Sequence, residues 1–180
     1  DIRPDTLCID ETKIEAAITE NTQAILATHV YGIPCNVDAI AAIAQKHNLK
    51  VIYDGAHAFG CTLNGRSLLD YGDIATCSFH ATKLFHTVEG GGIVINSREL
   101  REKLFLLRSF GHIGEEYFSI GINGKNSEFH AAMGLAILKY LSYLINQRKD
   151  ISDLYDSVIP DYLERPYINS SDFLYNYAYY

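Results

Sequence analysis

The sequence predicts an α/β fold, a mostly parallel sheet with helices on both faces. Three observations carry that expectation. Short apolar runs, 49–53 and 74–79 among them, alternate with segments whose apolar residues recur every three or four positions. The intervening segments are long enough for the helical crossovers that parallel strands require. Polar residues stand directly after two of the runs, at the strand ends where open parallel sheets bind ligands.

The elements follow in order. Asp10 can cap a short amphipathic helix ending at Ile18, and 23–30 is a mostly apolar strand that stops at Tyr31-Gly32-Ile33-Pro34. Asn36 can cap a helix whose stripe of Val37, Ile40, Ala41 and Ala44 runs to His47-Asn48. Residues 49–53 form the next buried strand and deliver Asp54. Two further strands are expected at 74–79 and 92–95, the latter followed by Ser97 as the cap of a helix through Arg108. A last long helix begins after Asn126 and ends near Asn146, with one broad apolar face from Phe129 to Leu144 suited to packing on a sheet or on a partner subunit.

Composition narrows the function. The chain has 180 residues, 48% hydrophobic and 21% charged, which is globular rather than disordered. Its net charge of −7 invites no nucleic acid and no acidic membrane surface, leaving small molecules or other proteins as partners. No apolar run approaches the roughly 18–20 residues that cross a bilayer, and no basic-then-apolar leader opens the chain, so it reads as soluble and cytoplasmic. Cys8, Cys35, Cys61 and Cys77 are widely spaced and read as reduced, mostly buried thiols. His29, His57, His80 and His86 could converge as zinc ligands, but no HExxH or short His/Cys pair accompanies them, so no metal is expected.

Two strand ends carry the candidate chemistry. Val51-Ile52-Tyr53-Asp54-Gly55-Ala56-His57 places a carboxylate at a strand mouth beside a glycine; a helix cap or a magnesium ligand would be the plainer uses of it, although neither GxxxxGK[ST] nor a strand-following GxGxxG is present. Cys77-Ser78-Phe79-His80-Ala81-Thr82-Lys83-Leu84-Phe85 places a lysine between apolar residues just past the next mouth, ahead of Gly90-Gly91-Gly92. A lysine is ordinarily a solvated surface charge, but burial disfavours the ammonium, and the neutral amine is what attacks a carbonyl. An acid and a lysine from neighbouring strand mouths suggest pyridoxal 5′-phosphate (PLP). Lys83 would hold its aldehyde, Asp54 would keep its pyridine nitrogen protonated, and Ser78 could bond its phosphate.

Five ordered stretches carry a resemblance. They are Thr28-His29-Val30-Tyr31-Gly32, the run from Val51 to Gly60, Gly72-Asp73-Ile74, Ser78 to Lys83 with Glu89-Gly90-Gly91, and Gly121-Ile122-Asn123-Gly124 through Ala132. Together they resemble the DegT/StrS family of sugar aminotransferases, over about 1–141. The resemblance implies the aspartate aminotransferase type of PLP fold and a homodimer with active sites at the subunit interface. It makes Lys83 the catalytic lysine, Asp54 the pyridine partner, Ser78 a phosphate ligand and Asn123 a phosphate contact reaching into the neighbouring subunit's site. His57 stands beside the cofactor ring where many members have Gln, and His80 where many have Tyr. Some relatives replace the lysine by histidine and are dehydratases; with Lys83 present, transamination is implied. The reaction would move an amino group from glutamate to a nucleotide-linked keto-deoxysugar, as used in cell-surface polysaccharide and amino-sugar biosynthesis. The Ser-Phe-His-Ala-Thr-Lys wording favours a 4-keto over a 3-keto substrate.

Both ends read as cut from a longer polypeptide. Seven of the 13 tyrosines lie from Tyr155 onward, so the expected division is 1–147 as a partial PLP-binding large domain and 148–180 as the start of a small C-terminal domain. The Tyr-rich end is expected to be sheet and interface material. The alternative reading is a non-catalytic PLP-fold protein that binds or senses a ligand, with the 180-residue piece itself inactive.

Overall fold

The computed structural model describes residues 1–160, 162–166 and 171–180. Asp10 caps the first turn as expected: its carboxylate accepts from the Thr12 N–H at 3.1 Å, and a 3₁₀ turn runs into α1 (Ile14–Ala17). The apolar runs become β1 (Ala24–Thr28) and β2 (Lys50–Asp54), joined through α2 (Val37–His47). Asn36 caps α2 by accepting from the Ala39 N–H, and Asn48 closes it in the left-handed conformation, its N–H reaching the Ala44 and Gln45 carbonyls.

After β2 a small hairpin of β3 (Thr62–Leu63) and β4 (Arg66–Ser67) precedes β5 (Ile74–Ser78) and β6 (Gly91–Ile95). The main sheet has the order β1-β2-β5-β6. β1 with β2 and β2 with β5 are parallel, whereas β6 is antiparallel to β5. That reversal has a simple origin: no helix lies between β5 and β6, and the loop 79–90 folds straight back on itself.

One face of this sheet is the core. Ile25, Ala27, Val51, Tyr53, Ala75 and Cys77 point into it, and α2 covers it with Val37, Ala44 and Ile40, which has no exposed surface. On the opposite face Leu26 remains 66% exposed and Ile93 52% exposed, so the two-sided cover expected of these strands is absent over them among the described residues.

Beyond the sheet come α3 (Arg98–Arg108), capped by Ser97, a short hairpin of β7 (His112–Ile113) and β8 (Glu116–Tyr117), α4 (Glu128–Leu138) and α5 (Leu141–Val158). The single long helix expected to end near Asn146 is in fact two. Tyr140, at φ −105° and ψ 4°, breaks the helical path, and the second helix continues to Val158. The division expected at 147/148 therefore falls inside α5.

α4 meets the rest of the chain through its one small buried residue, Gly134, where an added Cβ would come within 2.8 Å of Thr87 Cγ2. Its apolar residues Phe129 and Leu135 are 89% and 67% exposed. Finally, β9 (Phe173–Leu174) pairs antiparallel with β3, and the chain continues over the carboxyl end of the main sheet. Asp161 and 167–170, within the expected second unit, lie outside the described residues.

A reciprocal clamp sets the start of β2 against β5. The Asp73 carboxylate accepts from the Val51 N–H and from Lys50 Nζ, both at 2.9 Å, while the Asp73 N–H donates to the Val51 carbonyl. Burial pushes the Asp73 carboxyl up, but the Val51 N–H and the Lys50 ammonium outweigh it and hold it below the ordinary value. A depressed carboxylate stabilises the fold fully above the unfolded value of about 3.9 and loses that contribution as pH falls through the folded value. Asp73→Ala is expected to cost about 1–3 kcal/mol at pH 7 by leaving the Val51 N–H without its acceptor. Chemical denaturation of both proteins across acid pH should show the difference shrinking below about pH 4.

Candidate active site

The site begins with register. Tyr53 pairs with Ala75 and Asp54 with Thr76 across the parallel β2–β5 seam, so Asp54 and Ser78 close neighbouring strands on one sheet edge. From Asp54 the chain turns at Gly55, whose N–H donates to the Thr76 carbonyl at 2.8 Å; a side chain there would collide with Leu69. One carboxylate oxygen of Asp54 accepts from the Ala56 N–H at 3.0 Å, so the turn-capping use of this acid is present as well.

His57 follows on that turn. Its Nδ1 accepts from the Tyr31 N–H at 3.1 Å, an arrangement that leaves Nε2 to carry the proton in the neutral ring. The close approach needs Gly32, at φ +85°, where any Cβ would sit 2.7 Å from the His57 carbonyl. Burial lowers the His57 pKa, the Lys83 ammonium lowers it further, and Asp54 pulls the other way. The acid, the imidazole and the amine thus share one electrostatic neighbourhood.

Lys83 is presented by a rigid loop. The Thr87 N–H donates to the Phe79 carbonyl, the Phe79 N–H to the Gly90 carbonyl, and the Lys83 N–H to the His80 carbonyl, each at 2.9 Å. Leu84 and Phe85 are buried beneath it, and Phe59, Phe79 and Phe85 pack ring against ring. Lys83 itself is half-buried, as its apolar neighbours led one to expect, and its Nζ donates to Tyr179 Oη at 3.3 Å. His57, Phe59, Ser78, Thr82, Lys83 and Tyr179 line one cleft, with about 10 Å³ of room left in it for a water-sized sphere.

Asp54, His57, Ser78 and Lys83 are therefore brought together. Asn123 is not. It lies exposed on a separate loop, bridged to Ser109, and its side-chain oxygen accepts from Lys125 Nζ at 2.7 Å. The four histidines do not converge: His29 is fully buried and stacked on Tyr53 at 4.5 Å, whereas His80 is exposed and bonded to Thr82. Among the described residues no three His, Cys, Asp or Glu side chains form a metal-sized group. All four cysteines are free and buried. No helix of the described residues is long and apolar enough to cross a membrane.

Two cleft residues escaped the sequence reading. Tyr179 and Asn176 come from the Tyr-rich end, and Asn176, 1% exposed, donates from Nδ2 to the carbonyls of His57 and Phe59, both at 2.9 Å. The one available signal was an asparagine set within an aromatic run.

Comparison with known proteins gives the family and the fold. The model of the DegT/DnrJ/EryC1/StrS aminotransferase family matches residues 1–171, and the chain belongs to that family, whose aminotransferases are of the PLP-dependent type. It is 50% identical over 150 residues to a dTDP-4-amino-4,6-dideoxy-D-glucose transaminase of Shigella dysenteriae, covering 83% of this chain and 41% of that protein. It is 40% identical over 163 residues to the transaminase of the same name in Escherichia coli, covering 88% and 43%. The solved structure of DesI with its TDP-sugar product superposes with a TM-score of 0.84 at 35% identity, over 89% of this chain and 41% of that one. The chain spans about two fifths of the length of these relatives.

The electrostatic coupling at the cleft is measurable. His57 is expected to titrate below the ordinary value of about 6.5. Lys83→Met should move it up by removing a positive neighbour, and Asp54→Asn should move it down by removing a negative one. Imidazole C–H resonances followed against pH check both signs.

Proposed function

From membership of this aminotransferase family, we propose that the whole protein is a PLP-dependent enzyme moving an amino group from glutamate to the 4-keto group of a nucleotide-linked 6-deoxysugar. The observation that carries this reading is the meeting of Lys83, Asp54 and Ser78 at one sheet edge. The donor set suits the cofactor: an amine for the aldehyde, a carboxylate for a protonated pyridine nitrogen and a hydroxyl for the phosphate. When bound, PLP supplies an electron sink for the pair left at the substrate carbon as its proton departs.

The chain's own groups do the rest. Asp54 would hold a positive charge on the ring nitrogen, and Ser78 Oγ would donate to a phosphate oxygen. His57, its pKa lowered by burial and by Lys83, would stand beside the ring without adding charge. Once free of the aldehyde, Lys83 Nζ would be the base that takes and returns the proton at the substrate carbon. The 4-amino products in the names of two relatives support the 4-keto substrate.

Asn123, exposed and outside the lining of its own cleft, belongs in this reading to the neighbouring subunit's phosphate site within a homodimer. The open apolar face of α4 supports such a dimer, since a helix carrying exposed Phe129 and Leu135 gains from being covered. The cytoplasm, where four free thiols stay reduced, is the proposed compartment. Residues 1–147 would be part of the large PLP-binding domain and 148–180 the start of the smaller one.

The test supplies dTDP-4-keto-6-deoxyglucose and glutamate to the whole protein. Lys83→Ala should lower turnover by at least about 10²–10⁴-fold, the scale of a lost proton-transfer group. Borohydride reduction should fix PLP to the Lys83 peptide of the unaltered protein. Equal turnover in the two proteins would end the aminotransferase reading and leave a ligand-sensing role.

A further inference from the structure

We propose that Tyr179 sets the size of the carbonyl compounds that reach Lys83: its ring fills the place a ring-bearing aldehyde must take, so such a compound enters only as Tyr179 leaves. The inference rests on Lys83 being the reactive amine, the reading given above.

Three contacts define the position. Tyr179 Oη accepts from Lys83 Nζ at 3.3 Å, and the same ammonium lies 5.9 Å from the centre of the Tyr179 ring. That ring packs on His57 at 4.5 Å and on Tyr31 at 5.4 Å, both tilted. The residual room of about 10 Å³ open to the centre of a water-sized sphere is at the limit for a single water, roughly 10–15 Å³ on that measure, and far below what an aromatic aldehyde needs. A one-carbon aldehyde needs only small side-chain motion; a ring needs the tyrosine gone.

The segment that carries Tyr179 is built to return it. Asn176 is locked under the turn by its bonds to the His57 and Phe59 carbonyls, and its Oδ1 accepts from the Ala178 N–H at 3.0 Å. The Tyr175 hydroxyl reaches the Tyr31 carbonyl at 2.9 Å and the Tyr179 carbonyl at 3.1 Å, and Arg148 donates to the Ala178 carbonyl at 3.1 Å. The Tyr179 side chain makes weaker contacts: one hydrogen bond to a lysine and two tilted ring packings. A well-anchored base with a loosely held tip is the construction of a side-chain gate, in which the ring swings while residues 175–178 stay in place.

Reductive alkylation reads this directly. Lys83 nitrogen bonds the carbonyl carbon, water leaves, and hydride from cyanoborohydride reduces the C=N bond. Formaldehyde, benzaldehyde and PLP are each applied to the unaltered protein and to Tyr179→Phe, Tyr179→Val and Tyr179→Ala. Peptide mass spectrometry scores Lys83 against the exposed Lys46 as internal standard. Tyr179→Ala should raise benzaldehyde capture at Lys83 by about tenfold, the size expected for one ring packing and one hydrogen bond no longer displaced. Formaldehyde capture should change by less than about twofold, because a one-carbon reagent displaces neither contact. Tyr179→Phe should keep most of the discrimination and Tyr179→Val fall between, a graded order that holds even if one variant folds poorly. Benzaldehyde capture unchanged or slowed in Tyr179→Val and Tyr179→Ala would overturn the gate and make Tyr179 a fixed wall. PLP capture separates the two readings. If Lys83 takes PLP no faster than Lys46 in every protein while benzaldehyde follows the graded order, the gate stands and the cofactor assignment falls.

Discussion

The site depends on the parallel register that joins Thr28, Asp54 and Thr76 across three strands. Parallel strands all point the same way, so the loops that follow them must leave the sheet along one edge. The turn after Thr28 brings the Tyr31 N–H to His57, the turn after Asp54 carries His57 itself, and the loop after Ser78 carries Lys83. The register is held by core packing. Tyr53 and Cys77 are buried, and a slip of one residue would send them outward and drive Asp54 inward among apolar side chains. A carboxylate stranded there would cost several kcal/mol. The same packing that stabilises the sheet therefore fixes where the chemistry can be.

What could be read from the sequence follows from how local each signal is. Asp54 and Lys83 were legible because an acid and a lysine bounded by apolar residues directly after strand patterns are few in any chain. The caps Asp10, Asn36 and Ser97 were legible because each hydrogen bond closes within three residues. The break between α4 and α5 was not legible. Leu138, Lys139 and Tyr140 include neither Gly nor Pro, and the apolar period runs through them undisturbed. Nor was the reversed direction of β6, because an apolar run reads alike in both orientations. Tyr179 stands 96 residues from the lysine it touches. The pairing of β9 with β3 and the Asn176 bonds to the turn bring the two together, and no pattern within a window of the sequence encodes that.

α4 departs from the sequence reading in another way: one broad apolar face was expected, and its apolar residues are not confined to one face. Its apolar side chains surround the helix, as in helices buried on every side. Here Gly134 is its one buried residue, and Phe129 and Leu135 stand open. Fully covering a side chain of that size is worth about 1.5–3 kcal/mol, so an uncovered face of several such residues is a large unrealised gain. The homodimer proposed above would recover it at the point where Gly134 touches the loop carrying Lys83, through Thr87. Subunit contact and the reactive amine would then be separated by a single loop.

Lys83 is covered on two sides by groups of different permanence. Beneath it lie Leu84 and the Phe59–Phe79–Phe85 cluster, with Phe59 and Phe85 stacked at 4.3 Å; these belong to the fold and cannot leave without unfolding part of it. Above it lies Tyr179, held by contacts that any flat ring resting on His57 can replace almost one for one. Such an exchange leaves that side of the amine covered both before and after the ring arrives. It is possible only because the anchor and the gate are separate side chains. Asn176 holds the segment down through the very turn that carries His57, and Tyr179 is left free to yield.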